Sequence, residues 1–516
     1  MKRWLPLLLC LFHFLTLAYL ARQHPFGTFA TETDFYHLYA PDAERIATGQ
    51  FPQNTYQGPG YPATLALIAG LTGGDLFTIG KWLSVICAVI VGLLTFVFFA
   101  RLFGYWVGIG AQLIAIVSGE FPQFSINAST DVFFLLLCLA TLVVFTSQWL
   151  SVRWRVALTG ALAGLAYVTR YNGLFLLAAC FLAIIFINLF GQSWQQRWVS
   201  TAILIAAFFI AASPWLYVNY KHHGSPFYNT NYLNLATEFF PELVAGKINQ
   251  DATRALEERF HSFGDVLMHD PKGMITHYPV NLMNSLKLAI RNGLIHRWVV
   301  LAALFGVIFA LIARRTKEII FLLMTGLIYL MLMALNHWET RYYFFIMVLC
   351  AGFAVYFVSL INVSYRRAYI GRSIAIALFA VLLLASIVES RKDVKLFLAS
   401  HPTEIIAARD YLATVNNQGK KLRIVARKPH LPYLSGNEWV FFPQVKSIDE
   451  FRTWLEINHV DYIAIGKREL KERKELASLS DPKKAPHWMK AVWVNDDPEF
   501  ILYQPEVGKE NAKHPN

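Results

Sequence analysis

Long apolar runs without a single charge constrain this chain more than any other feature of its sequence. Two examples are Trp82–Ala100 and Phe133–Phe145. A helix of about 20 apolar residues matches the hydrocarbon thickness of a bilayer, and backbone groups in lipid must be hydrogen-bonded within the segment. Only 16% of the 516 residues are charged, whereas soluble proteins have about 25%. The sequence therefore predicts an all-α polytopic membrane domain.

Run length predicts about eleven transmembrane helices. We expect them at residues 4–21, 80–100, 105–119, 130–148, 156–169, 171–190, 198–218, 297–313, 318–335, 342–361 and 372–389. The apolar run Leu5–Leu20 follows a basic start and is interpreted as a retained first span, not as a cleaved signal peptide. Tyr61–Leu71 is too short to cross, and we expect it to lie at the interface or to lead into the second span.

Basic residues predict the orientation of these spans, because cytoplasmic loops of membrane proteins are enriched in Lys and Arg. With a cytoplasmic N-terminus, every inside loop carries at least one: Lys2, Arg3, Arg101, Arg153, Arg155, Arg197, Arg314, Arg315, Lys317, Arg366, Arg367 and Arg372. This pattern accounts for the net charge of +12, and no basic helix with interleaved aromatics indicates nucleic-acid binding. We expect a protein integral to the cell membrane, the inner membrane if the cell is Gram-negative.

Two domains follow from this topology. We expect a transmembrane domain over residues 1–390, with outer loops 22–79 and 219–296, and a periplasmic or extracellular α/β domain over residues 391–516. In the second domain, strand-like runs lie at Leu422–Ala426, Tyr462–Ile465 and Phe500–Tyr503, and helical signals lie at Pro402–Val415 and Ile448–Asn458. The final Gly508–Asn516 has the composition of a solvated tail. All five cysteines lie in apolar runs, which predicts neither a disulfide framework nor a cysteine zinc site.

The first outer loop concentrates groups that can perform chemistry. Glu32 and Asp34 lie just beyond the first span among aromatics, and partial burial there raises the proton affinity of a carboxylate. Such a carboxylate is a plausible general base, although an ordinary solvated loop explains the same residues equally well. The stiff turn Gly58-Pro59-Gly60-Tyr61-Pro62 is expected to fix the loop against the next helix. Histidine spacings in the second outer loop match no zinc template, so we predict no metal site there.

Ordered motifs at the outer face add a resemblance to a known family. They are Asp34, Ala47–Pro52, Gly58–Pro62, Phe121-Pro122 with Ser129-Thr130-Asp131, Gly164–Arg170, Pro214-Trp215 with Asn219 and Gly224–Phe227, and Glu339-Thr340-Arg341-Tyr342. Over roughly residues 1–390 the chain resembles the GT-C glycosyltransferases. The likeness is to bacterial relatives of the protein O-mannosyltransferases and of the lipid A aminoarabinose transferases. Arg423–Pro429 and His430–Gly436 resemble soluble tails of the same group.

The resemblance implies transfer of a sugar from a polyprenyl-phosphate donor, with inversion, to an acceptor outside the cytoplasm. Asp34 is then the general base that deprotonates the acceptor. Arg170 and Arg341, at outer helix ends, are expected to stabilise the leaving lipid phosphate. The further substrate-binding candidates are Asp131 and Glu339, the aromatic Tyr36, Tyr61 and Tyr342 that would line the sugar or prenyl site, and, as weaker cations, Lys81 and Arg45. The acceptor (protein, lipid A, wall polymer or glycan) stays open, because Glu32-x-Asp34 departs from the Asp-Glu pair of the O-mannosyltransferases. A divalent cation is a possible cofactor.

Other interpretations fit some of these residues. Asp131 can cap the fourth helix, Arg170 can extend to lipid headgroups, and Glu339 and Arg341 can pair at a helix end. A transporter or lipid flippase is the main alternative function. Transporters place ionisable residues near the midplane, often in repeated halves, whereas here the charges gather at one face and no repeat is visible. A scaffold that displays the C-terminal domain would not explain the motifs at the outer face.

Overall fold

A computed structural model describes residues 2–248, 250–291, 293–313, 316–336, 338–364, 368–415 and 420–506. Arg314, Arg315, Arg366, Arg367 and the tail Gly508–Asn516, all used in the sequence argument, lie outside these ranges. The chain divides into two compact units. The first, here the membrane unit, comprises Met1–Phe26, Leu38–Phe239 and Ser262–Ala399. The second, here the sheet unit, comprises Gly27–His37, Phe240–His261 and Ser400–Asn516.

Helices dominate the described residues. In chain order the α-helices are α1 (Leu5–Arg22), α2 (Ala40–Ala47), α3 (Gly60–Thr72), α4 (Leu76–Phe103), α5 (Tyr105–Ile116), α6 (Phe121–Phe124), α7 (Asp131–Thr146), α8 (Val152–Thr169), α9 (Leu174–Leu182), α10 (Trp194–His223), α11 (Asn231–Phe239), α12 (Gln250–Glu257), α13 (Phe263–His269), α14 (Pro271–Ala289), α15 (Arg297–Ala313), α16 (Lys317–Met333), α17 (Phe344–Ser364), α18 (Ala368–Leu398), α19 (Thr403–Val415), α20 (His430–Leu434), α21 (Ile448–Ile457) and α22 (Lys467–Glu472). Short 3₁₀ or π segments lie at Lys2–Trp4, Phe35–Tyr39, Tyr171–Gly173, Ala183–Ile187, Pro241–Val244, Thr340–Tyr343, Lys474–Ser480 and Pro482–Lys484.

The predicted spans coincide with helices of the membrane unit. Each of the eleven falls on one α-helix or on an α-helix continued by a short 3₁₀ or π segment. By length and hydropathy, α1, α4, α10 and the segments Thr340–Ile361 and Tyr369–Val415 are long and apolar enough to cross a membrane. Shorter apolar helices accompany them, including α3, the short run that was expected not to cross. The protein is therefore an integral membrane protein, and the number of crossings stays a prediction.

Small residues allow a close helix contact in this unit, between α8 and α10. A Cβ added to Gly160 would lie 2.2 Å from the carbonyl oxygen of Leu204, and one added to Gly164 would lie 2.6 Å from that of Phe208. Only glycine permits backbones to approach this closely, as in other Gly-x-x-x-Gly helix pairs. Because α8 ends directly before Arg170, this packing fixes the position of Arg170 at the end of the helix.

The sheet unit contains a five-stranded sheet with the order β2-β1-β3-β5-β4. Its strands are β1 (Arg423–Ala426), β2 (Glu438–Phe441), β3 (Tyr462–Gly466), β4 (Met489–Asp496) and β5 (Glu499–Pro505). β1 pairs in parallel with β2 and β3, and β5 pairs antiparallel with β3 and β4. Side chains alternate across the sheet, so α19 packs on one face and α21 on the other. The predicted α/β domain is confirmed, with β2 and β4 as the strands that its sequence pattern did not indicate.

Candidate active site

A buried cluster of ion pairs joins distant motifs of the membrane unit. Arg170 Nη1 contacts Asp131 Oδ1, Arg341 Nη1 lies 3.7 Å from Asp131 Oδ2, and Arg341 Nε lies 2.6 Å from Glu339 Oε2. Asp131, Arg170 and Arg341 are only 3%, 9% and 8% exposed. Four sequence-predicted residues are thus assembled into one cluster. Arg170 is buried against a carboxylate, which does not agree with extension of its side chain to lipid headgroups.

Tyr342 completes this cluster with an aromatic ring. The guanidinium carbons of Arg170 and Arg341 lie 4.5 and 5.2 Å from its ring centroid. A guanidinium over an aromatic face is attracted by the ring quadrupole, more strongly when water is excluded. Two guanidinium groups are therefore held side by side by Asp131, Glu339 and one aromatic ring. Paired guanidinium groups are suited to recognition of an oxyanion.

The Gly58-Pro59-Gly60 turn packs against the end of α8, directly before Arg170. A Cβ at Gly58 would lie 2.0 Å from the carbonyl oxygen of Val168, and one at Gly60 would lie 2.6 Å from Thr169 Oγ1. Any larger residue would push the turn and the helix end apart. The Gly58–Gly60 turn and the end of α8 are far apart in the sequence but pack closely against each other. Together they determine the position of Arg170.

Polar contacts extend from this turn toward Asp131. Tyr39 Oη donates to Gln57 Oε1 at 2.8 Å, and Thr130 Oγ1 donates weakly to the same oxygen at 3.4 Å. The ring of Tyr61, itself fully buried, meets the ring of Tyr39 edge-on with centroids 5.4 Å apart. Tyr61 is thus a packed support of the loop. Gln57 directly precedes the Gly58 turn and was not selected from the sequence, because an amide in a turn carries no spacing signal of its own.

A cavity of about 280 Å³ lies beside Arg341. It is lined by Glu120, Phe124, Leu288, Arg291, Trp338, Glu339, Thr340 and Arg341. Burial, reinforced by the negative charge of Asp393, raises the pKa of Glu120 to about 7. The sequence did not identify Glu120 and Trp338 as candidates. Each directly precedes a recognised motif, and neither has a diagnostic spacing of its own. Aromatic, carboxyl and guanidinium groups around such a space are suited to a hydroxyl-rich ring.

Lys81 and Arg45 bind backbone carbonyls. Lys81 Nζ donates to the carbonyl oxygens of Ala21 at 3.0 Å and His24 at 2.7 Å, just where α1 ends. A cation there satisfies unpaired carbonyls and the negative end of the helix dipole. Arg45 Nε donates to the carbonyl oxygen of Phe51 at 2.9 Å. These contacts give both side chains a structural role in the loop connections.

Asp34 belongs to the sheet unit. It is half-buried at the start of the short π segment Phe35–Tyr39. Glu32, the other candidate base, is fully buried and accepts a hydrogen bond from the backbone N of Thr28 at 2.8 Å. The two carboxylates of the loop therefore differ: Glu32 holds the loop closed, and Asp34 is the more accessible of the pair.

His430 fixes this loop to the sheet unit. Its Nε2 lies 2.8 Å from the carbonyl oxygen of Thr28, and its ring packs edge-on against Phe29 and Tyr36 at 4.8 Å each. Burial lowers the pKa of His430 to about 4, so the ring is neutral and its Nε2–H donates to Thr28. The tail motif beginning at His430, whose role the sequence did not reveal, is thus the anchor of the Asp34 loop.

Lys428 is an electrostatic neighbour of Asp34. Burial lowers the pKa of Lys428, helped by the adjacent charge of Arg427, while the charge of Asp34 acts in the opposite direction. Asp34 acts in the same way on His37, whose ring meets Trp439 edge-on at 4.7 Å. Asp34 is therefore an electrostatic neighbour of Lys428, which follows β1, and of His37, whose ring packs on Trp439 of β2. Within the described ranges, no group of three or more His, Cys, Asp or Glu side chains is placed to hold a metal ion.

Comparison with known proteins agrees with this architecture. Residues 56–217 match the family model described as dolichyl-phosphate-mannose-protein mannosyltransferase. ArnT from Cupriavidus metallidurans, solved with undecaprenyl phosphate, superposes with a TM-score of 0.59 at 13% identity over 99% of both chains. The Archaeoglobus fulgidus oligosaccharyltransferase, in complex with Zn and sulfate, superposes with a TM-score of 0.62 at 12% identity, covering 89% of this chain and 67% of that chain.

A further structure of the archaeal enzyme is AglB with an inhibitory peptide and a dolichol-phosphate. It gives a TM-score of 0.60 at 11% identity over 90% of this chain and 70% of that one. No curated protein sequence gave a significant match. The chain therefore has the fold of these GT-C membrane glycosyltransferases, and its residues 56–217 match the mannosyltransferase family model. It resembles the protein O-mannosyltransferases and the ArnT proteins, as its motifs predicted.

Proposed function

We propose that this protein transfers a sugar from a polyprenyl-phosphate donor to an acceptor on the non-cytoplasmic side of the membrane. The observation that carries the proposal is the pair of buried guanidinium groups, Arg170 and Arg341, on a GT-C scaffold. A lipid phosphate gains negative charge as it leaves, and preorganised cations in a dry site stabilise that charge strongly. The solved relatives with undecaprenyl phosphate or dolichol-phosphate bound support a lipid phosphate as the donor group.

The proposed reaction is a single displacement at the anomeric carbon. The acceptor oxygen forms a bond to that carbon as the bond to the phosphate oxygen breaks, which inverts the configuration. Asp34 takes the proton from the acceptor, and the electron pair of the broken bond stays on the polyprenyl phosphate. A neutral hydroxyl is a weak nucleophile, so a positioned carboxylate is the group this step requires.

The remaining predicted residues receive supporting roles. Asp131 and Glu339 hold Arg170 and Arg341 in a fixed geometry, and Tyr342 supports both guanidinium groups from below. The cavity beside Arg341, with Glu120 and Trp338, is proposed to receive the sugar ring. Arg170 and Arg341 are proposed to donate hydrogen bonds to the phosphate, while Asp131 and Glu339 offset their positive charge.

The test is incubation of purified protein with a panel of polyprenyl-phosphate sugars, with released polyprenyl phosphate measured by mass spectrometry. We expect one donor to be consumed with formation of free lipid phosphate. The flippase alternative predicts a different result: the intact donor would move between leaflets of a vesicle with no cleavage. Transbilayer movement without cleavage of any donor would refute the proposal.

A further inference from the structure

The sheet unit contains a second group of arginines, lining a cavity of its own. A cavity of about 70 Å³ is lined by Ile248, Asp251, Arg254, Arg427, Phe441, Phe442, Pro443, Trp454 and Arg473. About 10–15 Å³ holds one water molecule, so this space admits several waters or one small oxyanion. Three of the lining side chains are arginines and one is a carboxylate. Glu469 and Glu472, which pair with Arg427 and Arg473, offset part of this positive charge.

The cavity lies where α/β sheets usually bind ligands. Arg427 directly follows β1, and Phe442 directly follows β2. Arg473 follows α22, the helix that continues from β3. β1 lies between β2 and β3 and is parallel to both. The connection from β1 leads to β2 on one side of it, and the connection from β2 leads to β3 on the other side. Such a reversal of strand order opens a crevice at the carboxyl ends of the strands.

Arg473 has a buried donor that no group in the described part of the chain accepts. The residue is 3% exposed; its Nε donates to the carbonyl oxygen of Pro443 at 2.9 Å, and its Nη2 donates to that of Phe442 at 3.0 Å. Among the described residues its Nη1 has no hydrogen-bond partner, and the carboxylate of Glu472 is 3.7 Å away. A buried unsatisfied donor costs about 1–3 kcal/mol or more when charged, so a bound acceptor would relieve a real penalty.

The other two arginines also keep donors available. Arg427 uses its Nε on Glu469 Oε1 at 3.2 Å, which fixes the guanidinium plane while leaving the Nη atoms without a hydrogen-bond partner in the described part of the chain. Arg254 is exposed on α12. The walls formed by Phe441, Phe442 and Trp454 lower the local polarity, and this strengthens charge-assisted hydrogen bonds.

We propose that this cavity binds a phosphate group through Arg254, Arg427 and Arg473. Guanidinium forks match phosphate geometry, and a tetrahedral oxyanion offers enough acceptor oxygens for three of them. Asp251 opposes the anion and thereby limits its affinity. The phosphate can be a free ion or the headgroup of a lipid-borne substrate. The proposal rests on these contacts alone and stands whether or not the chain transfers a sugar.

The experiment measures phosphate binding to the full-length protein in neutral detergent by calorimetry at low salt. One arm uses inorganic phosphate, and the other uses micelles that contain phosphatidic acid. Arg254→Gln should weaken binding about tenfold, as expected for one lost charge-assisted hydrogen bond of about 1.4 kcal/mol. Asp251→Asn should tighten it about threefold, because a repulsive charge is removed. Arg409→Gln, on the same unit but paired with Asp410, should bind as the parent does.

The outcomes separate the sources and the alternatives. Saturable binding of inorganic phosphate identifies a free-ion site, and binding of phosphatidic acid micelles alone identifies a lipid headgroup site. In an anion site the two variants change the phosphate affinity in opposite directions. If the cluster is merely structural, Arg254→Gln and Asp251→Asn leave the phosphate affinity unaltered, which counts against the proposal. Absence of saturable binding to both probes, or two shifts of the same sign, overturns the proposal.

Discussion

The membrane unit and the sheet unit each contain a carboxylate that the sequence motifs single out. The two carboxylates differ in burial and in their charged neighbours. Asp131 is buried and bound by two arginines. Asp34 is half-buried, with lysine and histidine as electrostatic neighbours. A carboxylate locked in an ion-pair cluster orients its partners but is poorly placed to accept a proton. We therefore propose a positioning role for Asp131 and proton transfer for Asp34.

Replacement of Asp34 tests the second half of this comparison and has the largest expected effect on activity. Asp34→Asn removes the proton acceptor while keeping the size of the side chain, so transfer should fall by about 10²–10⁴-fold. Donor consumption measured at saturating acceptor reports this loss. Asp410→Asn, an exposed carboxylate of the same unit, serves as the control and should retain full activity. Full activity of Asp34→Asn would exclude it as the base.

Replacement of Asp131 tests the first half and should chiefly affect stability. Asp131→Asn leaves Arg170 and Arg341 buried without their shared counter-charge, which costs about 3–5 kcal/mol. A marked decrease in the thermal unfolding midpoint checks this. In a double-mutant cycle with Arg170→Met the two losses should be less than additive, because the second change removes the stranded charge. Strict additivity would mean that the pair is not coupled.

The turn that supports Arg170 gives a smaller effect with a matched control. Gly58→Ala places a Cβ 2.0 Å from the carbonyl oxygen of Val168, and overpacking of this kind costs about 1–3 kcal/mol. We expect lower stability and reduced transfer together. Gly70→Ala, in α3 with open space around its Cβ position, should be neutral or stabilising by up to about 1 kcal/mol. Equal behaviour of the two variants would argue against the packing of this turn as the support of Arg170.

The smallest expected effect is a difference between the two units in how folding stability depends on pH. The folded pKa of His430 is lowered from 6.5 to about 4 by burial, so the unfolded chain binds the extra proton and stability falls as pH decreases through that window. The folded pKa of Glu120 is raised from 4.5 to about 7, so its contribution is full below 4.5 and is lost as pH rises toward 7.

Unfolding midpoints of His430→Gln and Glu120→Gln, measured between pH 4 and pH 7.5, check these signs. The difference from the parent protein should change in opposite directions with pH for the two variants. The glutamine of His430→Gln keeps a hydrogen-bond donor toward Thr28. If this variant loses stability equally at every pH, the cause is lost packing and not lost titration of the histidine. Parallel pH profiles for both variants would contradict the two assignments.

The membrane fold was largely predictable because apolar run length reports directly on helices in lipid. The expected runs at 80–100 and 198–218 coincide with α4 and α10, although the helices extend beyond the runs. Strand β4 was missed because its four consecutive apolar residues, Ala491–Val494, show no alternation, and β2 because it has only four residues. Short, half-exposed strands acquire their conformation from neighbours in the sheet, which a local pattern does not contain.

The candidate site was predictable to the extent that its residues occur in recognisable motifs. Arg170, Asp131 and Arg341 were selected individually, and their direct pairing came only with the structure. The anchoring of the Asp34 loop by His430 was not predictable, because 402 positions separate the bonded residues. Burial also changes the meaning of a residue: Lys81 and Glu32 carry charges typical of a site, yet their contacts secure the backbone.

The bond between His430 and Thr28 has a consequence for the order in which the protein is made. The ribosome adds about 5–20 residues per second, so about 20–80 s pass between synthesis of the Asp34 loop and arrival of its anchor. During that interval the loop lacks the sheet that holds it, while most of the membrane helices have already been synthesised. The catalytic carboxylate proposed here is thus assembled last, and a ribosome that stalls before residue 430 leaves a membrane-inserted but inactive product.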